Sequence, residues 1–181
     1  MQEYGKPHDE IYLKLEGYLK NYYRGIFDYL NIPRGHNKTA LDVGFGHGYV
    51  LELLEELGYK TYGIDLSEHG VRRAQKVVPC ATLKVHDAER PFPFDVEFDL
   101  ITCFGPLGIL AHPDLAMENS YNSLKPGGTF IATAPSSLGL TPLIFGKRVA
   151  RTVRERRSIG AHELPPGSHL ALCRQLNGIK C

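Results

Sequence analysis

Charge of one sign is scarce in this sequence: 21 lysines and arginines face 20 aspartates and glutamates, for a formal net charge of +1. No global field draws the chain toward nucleic acid or an anionic membrane, so any such partner has to be recognised by a local patch. Long hydrophobic runs are missing as well, and nothing approaches the ~18 apolar residues of a membrane span. Met1 to Glu10 is polar and mixed in charge, which fits neither a signal peptide nor a transit peptide. Cys80, Cys103, Cys173 and Cys181 form no C-x-x-C pair and read as free thiols of a reducing compartment. Together these features describe a soluble, cytoplasmic protein with no metal site signalled.

An internal repeat and a dividing linker are also missing. The 181 residues therefore read as one domain of ordinary size, with a helical cap over 1–37, a core over 38–135 and a less regular region over 136–181. In the cap, Ile11, Leu15, Tyr18, Leu19, Tyr22, Ile26, Tyr29 and Leu30 recur at helical spacing, which predicts a helix over about Asp9 to Leu30, packed on the domain with its amphipathic tyrosine rings at the rim or serving as a lid over a ligand. Gly17 and Gly25 weaken it and admit two shorter helices.

From Thr39 onward strands and helices alternate. Thr39 to Val43 is predicted as a strand. Val50, Leu51, Leu53, Leu54 and Leu57 form a helical stripe, with Glu52, Glu55 and Glu56 toward solvent and Gly58 placed for a C-cap. Thr61 to Ile64 is the second strand. Ser67 then caps a helix whose buried face is Val71, Ala74, Val77 and Val78, and Pro79 stops it. Ala81 to Val85 and Phe98 to Cys103 follow as strands, Pro113 to Leu124 as a helix, and Lys125 to Gly128 as a turn into a fifth strand, Thr129 to Ala134. Alternation of this kind predicts an α/β fold, a doubly wound, mostly parallel sheet.

Asp42-Val43-Gly44-Phe45-Gly46-His47-Gly48 follows the first strand and opens the first helix of this series. A parallel sheet places such a loop at its carboxyl edge, where ligands bind, and glycines let the backbone turn sharply and approach a ligand. The dinucleotide pattern G-x-G-x-x-G is not met, because Tyr49 stands at the third glycine position. A nicotinamide-dependent dehydrogenase is disfavoured on that ground. Asp65 ends the second strand, 21 residues after Gly44, where a carboxylate can accept both hydroxyls of a ribose, with Leu66 against an adenine face. Asp87 ends the third strand, where it can meet an adenine amino group beside the Ala88 amide.

In this order and spacing, Leu41 to Gly48, Gly63-Ile64-Asp65, His86-Asp87-Ala88, Phe92-Pro93-Phe94, Phe98-Asp99-Leu100 and Leu124 to Gly128 resemble the motifs of class I S-adenosylmethionine-dependent methyltransferases, most of all the broad small-molecule group. The resemblance covers about Thr39 to Pro135. It implies a Rossmann-like sheet of order 3-2-1-4-5 and S-adenosylmethionine as cofactor. It implies that Asp42 helps hold the methionine ammonium, directly or through water, and that Gly44, Phe45, Gly46 and Gly48 admit the methionine portion. Asp65 and Leu66 then serve the ribose and adenine, Asp87 and Ala88 the adenine, and Cys103, opening the stretch that faces the methyl group, completes the cofactor contacts.

The implied reaction is methyl transfer to an oxygen, nitrogen or carbon of a small-molecule acceptor. Cys103 to Gly108 lacks the N/D-P-P-Y pattern of amino-adenine methylases, and Pro79-Cys80 lies on the wrong side of the site for cytosine-C5 chemistry, so DNA base methylation is disfavoured. His112 is the nearest titratable candidate for a general base, and His47 is read as flanking the cofactor. Lys147, Arg148, Arg151, Arg154, Arg156 and Arg157 form a basic cluster on the side assigned to the acceptor. It suits an anionic acceptor, an RNA backbone included, or a solvated helix.

The far end departs from the family. The resemblance implies a sixth strand and an antiparallel seventh, yet the chain stops at Gly178 to Cys181, about where the sixth is expected. The expectation is a shortened chain, or a reduced sheet with the fifth strand as an open edge. That departure supports a second function class, a protein that binds S-adenosylmethionine without turnover.

Overall fold

The computed structural model describes residues 15–134, 161–163 and 171–174. The basic cluster and the first part of the predicted cap helix lie outside them. The chain divides into two compact units, Met1–Asp87 and Ala88–Cys181.

The first unit carries α1 (Glu16–Tyr29), β1 (Thr39–Val43), α2 (Tyr49–Glu56), β2 (Lys60–Asp65), α3 (Glu68–Val77) and β3 (Thr82–Val85). β1 pairs parallel with β2, and β2 parallel with β3. Two helix ends are capped as the sequence demands. Gly58 follows α2 at φ 83°, the left-handed position that ends a helix cheaply only for glycine. The Ser67 hydroxyl accepts the Gly70 N–H at 3.1 Å to start α3. Phe45, Leu51, Ala74, Val78 and Ala81 form the buried cluster of this unit, with Val71 and Leu83 packed against it.

Four expectations for this unit are corrected. α1 is one helix across both Gly17 and Gly25. Its buried residues are Ile26 and Phe27, so Leu15 of the predicted stripe is exposed and Phe27, outside it, is buried, while Tyr18, Tyr22 and Tyr29 are exposed as amphipathic rings at a rim can be. The acidic side of α2 is where α1 docks: Lys20 reaches Glu52 at 2.8 Å and Arg24 reaches Glu56 at 2.9 Å, while Glu55 accepts the Thr61 hydroxyl. Along α3 and its C-cap the buried positions step by four through Gly70, Ala74 and Val78, which leaves Val77 on the shoulder and exposed.

The second unit carries β4 (Phe98–Phe104), a 3-10 turn (Pro106–Gly108), α4 (Pro113–Asn122), β5 (Leu124–Ala134), β6 (Ala161–Glu163) and β7 (Ala171–Arg174). β4 and β5 run parallel, with Phe98 opposite Leu124 and Leu100 opposite Thr129. The predicted turn at Lys125 to Gly128 is therefore a bulge inside β5. Lys125 bonds Asp99, the residue passed over in that register shift, at 2.8 Å. Gly127 takes φ 81°, and a Cβ on Gly128 would stand 2.9 Å from the Phe98 carbonyl oxygen.

The strand order is β3-β2-β1-β4-β5-β7-β6, so the expected 3-2-1-4-5 arrangement holds. The open edge does not. β7 pairs antiparallel with β5, Ile131 opposite Arg174, and β6 pairs antiparallel with β7. Strands of three and four residues take the sixth and seventh places. The loop expected over Glu163 to Gly167 gives its first residue to β6, and the rest lies outside the described residues.

Among the described residues no helix is long and apolar enough to cross a membrane.

β2 carries a glycine at its centre for a packing reason. A Cβ on Gly63 would lie 2.5 Å from Phe45 Cδ1 and 2.9 Å from Leu83 Cδ2. Gly63→Ala should cost about 1–3 kcal/mol through overpacking, and Phe45→Leu in the same chain should recover part of it, both read by urea unfolding.

Candidate functional site

Between the last residue of β1 and the first of α2 the chain has only Gly44 to Gly48 in which to turn. Gly44, Gly46 and Gly48 take φ of 72°, 54° and 85°, the left-handed region that side chains with a Cβ disfavour. Each is fixed by a different contact. The Gly44 N–H donates to the Ile64 carbonyl at 2.7 Å, tying the loop to β2. The Gly46 N–H donates to Asp65 Oδ2 at 2.8 Å. Gly48 lets α3 come close, since a Cβ there would meet Ala74 Cβ at 3.1 Å. Close helix packing is the task of the third glycine in the dinucleotide pattern. Here Gly48 performs it one residue early, which frees position 49 for tyrosine.

Asp65 sits at the end of β2, half-buried, and its two oxygens face different backbone groups. Oδ2 takes the Gly46 N–H, and Oδ1 takes the Ser67 N–H at 2.8 Å. The Asp65 carbonyl in turn accepts the His86 N–H at 2.9 Å, in line with the β2–β3 ladder that ends at Asp65 opposite Val85. Leu66, next in sequence, is 61% exposed, unusual for a leucine beside a folded core. Asp87 is half-buried just past β3.

Asp42 is buried on β1, opposite Gly63 of β2. Phe45 lies elsewhere than a ligand contact suggests: its ring is in the core cluster, against the Gly63 position. His47 is buried, its ring edge-on to that of Tyr49 at 5.9 Å. Tyr49 is buried under the Lys20 ammonium, 5.6 Å from the ring centroid, and its hydroxyl has no hydrogen-bond partner among the described residues. Burial, with the Glu16 charge next, pushes the Tyr49 phenol above its usual range, against the pull of Arg73 and Lys20.

Ala88, Cys103 and His112 belong to the second unit. The Ala88 carbonyl accepts from Asn119 Nδ2 at 3.0 Å, which ties it to α4. Cys103 is a buried thiol on β4. His112 stands exposed at the N-cap of α4, where its side chain makes no cap bond and its backbone N–H donates to Glu89 Oε1 at 2.8 Å.

The contacts that sequence reasoning missed are the two backbone donors to Asp65, Gly46 and Ser67, and the ring of Phe45 behind Gly63. A glycine inside a strand signals close approach of a neighbour, and Gly63 carried that signal.

An adenosyl group fits the first unit on two counts. A Cβ on Gly46 would meet nothing within 4 Å, so the face of the loop is open there. A carboxylate has about four acceptor positions, and the two N–H bonds leave the rest of Asp65 for ribose hydroxyls.

Comparison with known proteins agrees. A family model described as a methyltransferase domain matches residues 41–132. The ubiquinone biosynthesis O-methyltransferase of Idiomarina loihiensis is 28% identical over 132 residues, 68% of this chain and 49% of that protein. This chain spans about half the length of the curated relatives it matches. Among solved structures, a TehB-like S-adenosylmethionine-dependent methyltransferase from Corynebacterium glutamicum superposes with a TM-score of 0.63 at 23% identity, over 92% of this chain and 97% of that one. The S-adenosylmethionine-bound amino pentose methyltransferase CalS10 of Micromonospora echinaspora gives 0.58 at 23%, over 73% and 57%. Those two likenesses speak for the fold. The family match spans half the chain, from the strand before the glycine loop to β5, and so this protein belongs to the methyltransferase-domain family of class I, S-adenosylmethionine-dependent proteins.

Proposed function

We propose that this chain binds S-adenosylmethionine at the β1–α2 loop and the ends of β2 and β3, and directs its methyl group to an oxygen, nitrogen or carbon of a small-molecule acceptor. The observation that carries this reading is the Asp65 carboxylate, aimed by two backbone N–H groups beside an open glycine loop. Asp65 accepts from the ribose hydroxyls with its remaining lone pairs, and the exposed Leu66 covers an adenine face. Asp87 accepts from the adenine amino group, with the Ala88 amide next to it in sequence. Asp42 supplies the buried negative charge for the methionine ammonium, while Gly44, Gly46 and the Phe45 backbone border the methionine portion. Gly48 serves the loop from behind, through its contact with α3.

The bound cofactor supplies a methyl group on a sulfonium, transferred by in-line displacement without a metal. The protein's task is then alignment, worth ~7–11 kcal/mol when complete. A base is needed only for an acceptor that arrives protonated, and His112 is assigned that role, as Cys103 is assigned a cofactor contact. A hydroxyl is the first acceptor class to test, because the half-matched relatives carry O-methyltransferase names. The basic cluster at Lys147 to Arg157 favours an anionic acceptor.

Calorimetry with S-adenosylmethionine and S-adenosylhomocysteine should give saturable binding to both, and radiolabelled methyl should then reach a hydroxyl, amine or carbon acceptor. Absence of binding overturns the proposal; binding without transfer to any acceptor class reduces it to a cofactor-binding protein.

Two substitutions sharpen the assignment. Asp65→Ala should weaken cofactor binding by ~1.5–3 kcal/mol, the worth of a charge-assisted hydrogen bond; an unchanged isotherm removes Asp65 from the site. His112→Ala should slow transfer roughly a hundred- to ten-thousandfold with cofactor affinity unaltered, and a normal rate would leave the base unassigned.

A further inference from the structure

Asp65 is tied to more than a ribose. Its Oδ2 accepts the N–H of Gly46, in the middle of the β1–α2 loop, at 2.8 Å. Its Oδ1 accepts the N–H of Ser67, at the start of α3, also at 2.8 Å. The loop is tied to β2 a second time by the Gly44 N–H on the Ile64 carbonyl, 2.7 Å. It meets α3 again where a Cβ on Gly70 would stand 3.2 Å from the Gly46 carbonyl oxygen. Gly46 holds φ 54° with nothing within 4 Å of a Cβ position, so no side-chain packing on that face fixes its conformation. The fixing contact is the charge-assisted bond to Asp65, a class roughly twice as strong as a neutral one.

We propose that Asp65 is the positioning residue of the glycine loop: one carboxylate holds the Gly46 peptide in its left-handed, ligand-accepting conformation and also receives the ribose. The loop borders the methionine end of the cofactor and Asp65 its ribose end, so the two ends are read by one electrostatically linked unit. This rests on the cofactor assignment above. A carboxylate that served only the ribose would matter only to ligands with ribose hydroxyls. A carboxylate that also holds the loop matters to ligands without them.

The test uses the full chain, S-adenosylhomocysteine and its 2′,3′-dideoxy analogue. Asp65→Ala should weaken both ligands, the dideoxy analogue by about tenfold, the scale of one hydrogen bond to a charged group. If Asp65→Ala weakens only the hydroxylated ligand, the carboxylate is a ribose contact and the positioning role is overturned. Amide hydrogen exchange without ligand supplies a readout independent of the cofactor assignment. In Asp65→Ala the Gly46 amide should exchange faster while the Gly44 amide, bonded to Ile64, keeps its protection. Equal Gly46 rates in the two proteins overturn the proposal whether or not any cofactor binds. General loosening that speeds Gly44 as much as Gly46 also overturns it. Asp65→Asn retains an oxygen for only one of the two N–H donors, and should fall between wild type and Asp65→Ala in both measurements.

Discussion

The turn from β1 into α2 takes five residues, and three of them have to stand in a backbone region open mainly to glycine. Most of the first unit is arranged to make that turn possible. β2 supplies the Ile64 carbonyl and the Asp65 carboxylate as acceptors for loop N–H groups. α3 approaches through Gly70 and Ala74, where side chains are small enough to let the loop lie against it. Gly63 leaves room for the Phe45 ring, so the one large side chain in the loop becomes a core anchor. The register that sets Asp42 opposite Gly63 and Val43 opposite Ile64 brings these groups to the same edge.

This arrangement suits a cofactor whose reaction depends on placement more than on a catalytic group. The Asp65 carboxylate accepts one N–H from the loop and one from the start of α3, and Asp42 stands buried on the neighbouring strand. Membership in the methyltransferase-domain family rests on the span from Leu41 to Ala132, which holds both acids. The match covers only about half the length of the curated relatives, so their acceptors belong to proteins with much that is not matched here. β6 and β7 remove the reason for doubting turnover on the ground of an incomplete sheet, because both C-terminal strand places are taken.

The first five strands, the helix order, the Ser67 cap and the Gly58 stop were legible in the sequence, since each follows from local rules: period, capping chemistry and left-handed backbone. The spacing of Gly44, Gly46 and Gly48 set against Tyr49 was also enough to set aside a dinucleotide loop. Local rules misjudged the buried face of α1, where Leu15 of the stripe is exposed and Phe27, outside it, is buried. They also missed that Glu52 and Glu56 face a second helix. Period locates a stripe without saying which neighbour covers it.

The sequence by itself determined the class of fold, the place of the glycine loop and the acids at the strand ends, because strand alternation and glycine spacing are properties of short segments. Only the tertiary structure decided that Gly46 and Ser67 share Asp65, that Phe45 turns inward onto Gly63, and that β7 covers β5. Each of these joins residues through space by register and packing. A four-residue strand has too little periodicity to announce itself, and a backbone N–H leaves no mark in the amino-acid code. The carboxylate was visible; the groups that aim it were not.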